Sequence, residues 1–102
     1  MREATKPWEP ACAEYFERFA EGRYDDEGQY WFIFSETEIA IETDKYRNDL
    51  VVGSPGCDGI DFCFRHGRTG VWAYYPIESE HVLVAPNLEA LAHGWLSGSI
   101  TV

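Results

Sequence analysis

The chain has 102 residues, the length of one domain with one hydrophobic core. Its 18 acidic residues and 8 lysines and arginines give a net charge of -10, which opposes binding to nucleic acid and to anionic membrane surfaces. No stretch approaches the roughly 18 consecutive apolar residues of a membrane span, and residues 1–7 lack the apolar core of a secretion signal. We therefore expect a cytoplasmic protein that folds as a single domain over residues 1–102.

The first half of the chain predicts two helices around one strand. Residues 10–22 begin with proline, end with glycine and carry apolar residues at helical spacing, which predicts a helix. A polar, acidic turn at 23–28 follows, and the aromatic run 29–34 has the length and composition of a strand. Ser35-Glu36-Thr37-Glu38 has the Ser-x-x-Glu form of a capping box, which predicts a second helix over about residues 36–46.

The second half predicts a series of antiparallel strands and a closing helix. Asn87 is expected to cap the helix and Gly98 to end it. Strands are predicted at 50–53, 60–64, 71–75 and 81–85, with a Gly- and Pro-containing loop at 54–59 and turns between the later strands. This order predicts an α+β fold, an antiparallel sheet of about four to five strands with helices packed mainly on one face.

The succession of elements from Pro10 onward resembles the SUKH superfamily, which includes bacterial immunity proteins and a fungal regulator of cell-wall glucan synthesis. The resemblance covers roughly residues 10–97 and is strongest where a strand and a glycine-containing turn end in Asp58-Gly59, followed by a hairpin, a strand and a short helix. An extra residue between Gly53 and Asp58, and a short segment before Pro10, indicate a divergent or N-terminally shortened member. The resemblance implies a non-catalytic module that neutralises a toxin by direct binding, without a cofactor.

Candidate contacts with a partner follow from charge and from aromatic side chains. Carboxylates attract a basic protein and speed its encounter, whereas buried aromatic anchors supply much of the affinity of an interface. Trp72 and Tyr74 are expected to share one sheet face, and the alternative is that both belong to the core. The Asp58-Gly59 pair has the further alternative of simply shaping a turn. The predicted partner-contact residues are Asp25, Asp26, Glu27, Asp58, Asp61, Trp72 and Tyr74.

The sequence contains no complete catalytic or metal-binding motif. Cys57, Cys63 and His66 are spaced unlike paired zinc ligands, and His81 and His93 are not placed near any thiol. Residues 94–98, Gly-Trp-Leu-Ser-Gly, depart from the Gly-x-Ser-x-Gly nucleophile motif. We therefore predict no enzyme activity, no metal and no cofactor. The predicted partner is a basic toxin domain, the protein itself being a monomer or a homodimer. The alternative is a regulatory scaffold that binds a peptide or protein through a sheet edge or groove.

Overall fold

Two helical segments cover one face of a seven-stranded antiparallel sheet in the computed structural model, which describes residues 3–102. Met1 and Arg2, which belong to the predicted domain 1–102, lie outside the described residues. The N-terminal helical segment comprises the 3-10 turn Lys6–Trp8, helix α1 at Ala11–Glu14 and the π-helical turn Tyr15–Phe19, and helix α2 is Leu88–Ser97. The strands are β1 Arg23–Asp25, β2 Tyr30–Ile33, β3 Ala40–Thr43, β4 Asn48–Gly53, β5 Asp61–Arg65, β6 Val71–Tyr75 and β7 Glu80–Ala85. None of the helices within residues 3–102 has both the length and the apolar character needed to span a membrane.

The order of strands in the sheet is β1-β2-β4-β5-β6-β7, and β3 also pairs with β4. Strands β2 and β3 lie one after the other along the same edge of β4, since Ile33 pairs with Gly53 and Ala40 pairs with Val51. Only glycine fits at Gly53, because a β-carbon there would overlap the carbonyl oxygen of Phe32. The sheet is larger than the predicted four to five strands, because β1 and β3 form from segments predicted as a turn and a helix.

The predicted helix at 36–46 is wrong. The Ser35 carbonyl accepts the Glu38 N–H at 2.9 Å, and the Ser35 hydroxyl hydrogen-bonds the Thr37 hydroxyl, so these residues form a turn. Strand β3 then forms a hairpin with β4, whose turn is closed by the Asp44 carboxylate accepting the Tyr46 N–H at 2.7 Å. The edge of β4 offers β3 a full set of backbone partners, and this tertiary pairing outweighs the local capping signal.

The apolar core fills the space between the helices and the sheet. Leu50 and Phe64 are cross-strand neighbours, and Phe62 pairs with Ala73 one strand further along the same face. The indole ring of Trp95 on α2 meets the Phe62 ring edge-on, with the ring centroids 5.6 Å apart. The helical residues buried in this core are Trp8, Cys12, Tyr15 and Phe19 from the N-terminal segment and Leu88, Leu91 and Ala92 from α2. Both helical segments therefore pack on the same face, as predicted.

Helix α2 begins and ends where the sequence predicts. The Asn87 side chain accepts the Ala90 N–H at 2.8 Å, and Gly98 ends the helix in the left-handed conformation with a φ of 81°. The Glu14 carboxylate also accepts the N–H groups of Leu88 and Glu89, at 2.8 and 3.1 Å. Because the first N–H groups of a helix lack acceptors within it, Glu14 joins the N-terminal helical segment to the start of α2.

Candidate functional site

A buried group of charged side chains lies on the sheet face opposite the helices. Arg47 donates from Nε to Asp49 Oδ2 at 2.7 Å and from Nη1 to Asp61 Oδ2 at 3.1 Å. The Nε2 atom of His81 lies 2.7 Å from the same Asp49 oxygen. The side chains of Arg47, Asp49 and His81 are only 7%, 1% and 5% exposed, so water hardly screens these contacts. We call Arg47, Asp49, Asp61 and His81 the polar cluster.

Strong curvature of the sheet brings the polar cluster together. Asp49 pairs with Arg65, whereas His81 pairs with Tyr74, and Tyr74 in turn pairs with Asp61. In a flat sheet, the strand spacing and the offset along the strands would separate the backbones of Asp49 and His81 by about 20 Å. Their side chains are nevertheless in hydrogen-bond contact, so the sheet must twist and coil around this face. The face opposite the helices is therefore concave.

Cys63 and Tyr74 complete the concave face. The guanidinium carbon of Arg47 lies 3.8 Å from the centroid of the Tyr74 ring, and Val51, Cys63 and Tyr74 form a second, small apolar cluster. Burial raises the pKa of the Cys63 thiol, and the negative charge of Asp49 raises it further. The thiol is therefore protonated at neutral pH, and a buried, protonated thiol is a poor nucleophile.

The concave face gathers three side chains of the types that bind metal ions. Donor atoms of Asp49, Cys63 and His81 all lie within 4.8 Å of one another. No sequence pattern predicts that His81 lies near the Cys63 thiol, because the two residues lie on strands separated by β6. The zinc ligands considered from the sequence do not converge: Cys57 is exposed in a loop, and His66 packs edge-on against Trp8 with ring centroids 6.2 Å apart.

Among residues 3–102, one end of the sheet carries six carboxylates and no lysine or arginine on its connections. Successive connections of an antiparallel sheet alternate between its two ends, so the connections β1–β2, β4–β5 and β6–β7 lie at the same end. We call residues 25–29, 54–60 and 76–80 the acidic end. Its carboxylates belong to Asp25, Asp26, Glu27, Asp58, Glu78 and Glu80. The basic residues Lys45, Arg65 and Arg68 lie on or beside the connections at the opposite end.

The three segments of the acidic end are close neighbours. A β-carbon at Gly59 would lie 3.6 Å from Cγ of Pro76, and one at Gly56 would lie 3.1 Å from the ring of Tyr30. Ile77 in the third segment is 87% exposed, more than any other large apolar side chain among residues 3–102. The acidic end therefore combines several exposed carboxylates with a protruding apolar side chain.

The acidic residues predicted as contacts have different environments. Asp26, Glu27 and Asp58 are exposed on the acidic end. Asp58 has a φ of 54°, which agrees with the alternative that it shapes its turn, yet its side chain faces solvent. Asp25 is half-buried, and its carboxylate accepts hydrogen bonds from two backbone N–H groups of its own turn and from the Trp95 indole at 3.1 Å. Asp61 is held by Arg47. Asp25 and Asp61 are thus engaged within the fold.

The two predicted aromatic contacts also differ. Trp72 and Tyr74 do share the face opposite the helices, as their alternation predicts. Trp72 is half-buried and donates from its indole nitrogen to the Thr69 carbonyl at 3.0 Å. Tyr74 is only 5% exposed beneath Arg47. The burial of Tyr74 agrees with the alternative that it belongs to the core, and its role as an anchor for a partner stays a prediction.

A groove lies at the end of the sheet opposite the acidic end. It has a volume of about 570 Å³, within the usual size of ligand pockets. Pro7, Trp8 and Pro10 form one wall, and the β5–β6 connection with Arg65 and Arg68 forms the other. No sequence pattern predicts this groove, since its walls are some 60 residues apart in the chain.

Comparison of the chain with protein-family models, with curated proteins and with solved structures found no match. The resemblance to the SUKH superfamily therefore stays a prediction.

Proposed function

We propose that this protein is a non-catalytic binding module that neutralises a basic protein partner in the cytoplasm, as a bacterial immunity protein neutralises a toxin. The observation that carries the proposal is the segregation of charge, which leaves the acidic end with six carboxylates and no lysine or arginine. A surface that carries charge of a single sign attracts an oppositely charged protein over a long range. At low salt, this attraction raises the association rate about tenfold or more.

The proposed contact surface differs from the residues predicted by sequence alone. It keeps Asp26, Glu27 and Asp58 and adds Glu78 and Glu80, which are exposed on the same end. Charge supplies rate and orientation, but single exposed ion pairs contribute only about 0–1 kcal/mol each, so affinity needs a buried apolar contact. Ile77 is suited to this role, because its exposed side chain can enter a pocket on the partner.

Co-expression tests the proposal directly. The protein is produced with the toxin domain encoded beside it, or with a panel of basic toxin domains if none adjoins, and cell survival and complex formation are measured. We expect rescue and a stable complex whose association rate falls steeply as salt is added, because exposed charges are screened beyond about 10 Å at 0.1 M salt. Absence of both rescue and association across the panel would contradict the proposal.

A matched pair of variants locates the contact. The triple variant Asp26→Lys, Glu27→Lys and Glu78→Lys should lower the association rate about tenfold or more while leaving folding stability nearly unchanged, because all three side chains are exposed. The control triple Glu17→Lys, Glu21→Lys and Glu42→Lys makes the same change in net charge at exposed positions outside the acidic end. Equal effects of the two triples would show that overall charge, and not the acidic end, governs binding.

A second candidate function is a regulatory scaffold that binds a peptide, and the groove beside Trp8 favours it. Pro7 and Pro10 line the groove and are exposed, so they offer apolar surface of the kind that extended peptides bind. Failure of every toxin domain to bind, together with loss of peptide binding in a variant with a filled groove such as Thr69→Trp, would favour this function.

A further inference from the structure

The donor atoms of Asp49, Cys63 and His81 converge from β4, β5 and β7 on the concave face of the sheet. All of them lie within 4.8 Å of one another. A tetrahedral zinc ion with ligand distances of about 2.0–2.3 Å holds its donors roughly 3.2–3.7 Å apart. Small rotations of these side chains would therefore bring the three atoms to the spacing of a metal site. We propose that Asp49, Cys63 and His81 bind a divalent transition-metal ion, with Zn²⁺ as the natural occupant.

The charge of the polar cluster favours an additional cation. Asp49 and Asp61 supply two carboxylates and Arg47 one guanidinium, and the imidazole of His81 balances the second carboxylate only when it is protonated. Buried charges are stable only when they are balanced and hydrogen-bonded. A divalent ion bound to the Cys63 thiolate would balance the cluster, because its two positive charges and that of Arg47 equal the three negative charges of Asp49, Asp61 and Cys63. His81 then remains neutral, as a metal ligand must.

Arg47 and the metal ion can share the Asp49 carboxylate. The Nε atom of Arg47 donates to Oδ2, so Oδ1 can turn toward the ion. His81 would exchange its contact with Asp49 for a bond from Nε2 to the metal. Residues that hydrogen-bond a metal-binding carboxylate commonly fix its orientation. Arg47 would do this for Asp49 while its Nη1 atom keeps the hydrogen bond to Asp61.

The chemistry of the three ligands selects the class of ion. Thiolate and imidazole prefer Zn²⁺ and Co²⁺ to Mg²⁺ and Ca²⁺, which require oxygen ligands. Binding transfers the proton of the Cys63 thiol to solvent and forms the sulfur–metal bond, with no change of oxidation state. A water molecule would supply the fourth ligand of a tetrahedral ion. Because the site is buried, the ion would join β4, β5 and β7 and stabilise the curvature of the sheet.

Titration with Co²⁺ tests the proposal, because this ion replaces Zn²⁺ and absorbs visible light. The full chain is used in reduced form and without a polyhistidine tag. We expect one ion per chain, thiolate-to-cobalt charge-transfer absorption, the intense visible bands of four-coordinate cobalt, and displacement by Zn²⁺. At least one proton should be released per ion in weakly buffered solution.

One ligand variant and one control variant test the assignment of the ligands. His81→Gln should weaken Co²⁺ binding at least tenfold, and Zn²⁺ should raise the unfolding temperature of the wild type but not of this variant. Cys57→Ser removes an exposed thiol and should keep every spectral signal. Absence of charge-transfer absorption in the wild type would overturn the proposal, and so would its loss in Cys57→Ser. Both outcomes are measured on proteins whose buried polar cluster is unchanged, so neither depends on whether a variant of the cluster folds.

Discussion

The two faces of the sheet bury different kinds of side chain. The face toward the helices is filled by apolar side chains such as Phe62 and Leu50, whose packing is largely non-directional. The concave face instead buries Arg47, Asp49 and His81, which need defined hydrogen-bond partners. The first face tolerates exchange of apolar residues of similar size, whereas the second depends on each member of a network. The difference shows that one small sheet can carry a conventional core on one side and a specific polar arrangement on the other.

The largest effect is expected on the apolar face. Phe62 is fully buried and contacts Trp95, so Phe62→Ala should lower the free energy of unfolding by about 3–5 kcal/mol. Urea denaturation followed by tryptophan fluorescence measures this change. Tyr46→Ala, at a side chain that is mostly exposed, is the control and should change stability by less than about 0.5 kcal/mol. Similar effects of the two variants would show that Phe62 does not belong to a packed core.

The second effect concerns the concave face. Asp49→Asn removes the charge that Arg47 and His81 share, and should destabilise the protein by roughly 2–3 kcal/mol, because the buried guanidinium of Arg47 then keeps only one carboxylate partner, Asp61. The control is Glu89→Gln in the exposed pair with Arg18, where about 0–1 kcal/mol is expected. Both are measured by urea denaturation at neutral pH in the absence of metal. A loss at Asp49 no larger than at Glu89 would mean that the polar cluster adds nothing to stability.

The smallest effect concerns Tyr15, a buried residue of the N-terminal helical segment that carries a polar hydroxyl group. Burial raises the pKa of Tyr15, whose hydroxyl donates to the Phe34 carbonyl, and the charge of Glu36 adds to this shift. Above about pH 10 the unfolded chain loses this proton while the folded chain keeps it, so stability falls as pH rises. Between pH 10 and 11 the loss from this group is about 1 kcal/mol, because half of the unfolded chains have already lost the proton at pH 10.

Tyr15→Phe isolates that contribution. The variant should show a shallower decrease of unfolding free energy between pH 10 and 11 than the wild type, although its stability at neutral pH is lower by about 1 kcal/mol because the hydrogen bond is gone. Urea titrations at several pH values give both quantities. Parallel pH profiles for the two proteins would indicate that Tyr15 titrates alike in the folded and unfolded states.

Local pattern predicted much of the second half of the fold. Alternation identified the strands at 60–64, 71–75 and 81–85 to within a residue or so, and Asn87 and Gly98 marked the ends of α2. These signals succeed because they depend on neighbouring residues: a pleated strand alternates its side chains, and a helix end needs a cap. Asp26, Glu27 and Asp58, which the sequence predicts as contacts, lie together on one end of the sheet, and binding of a basic partner there stays a prediction.

Only the tertiary structure decided the rest. The segment 36–46 carries a capping signal, but the edge of β4 turns its second half into β3. Asp49, Cys63 and His81 are separated by as many as 32 positions, and they meet because the sheet coils on itself. The sequence by itself determined composition, charge and the local periods of helix and strand. Strand partners, curvature and the identity of the buried face depend on contacts between distant residues, which a local pattern does not encode.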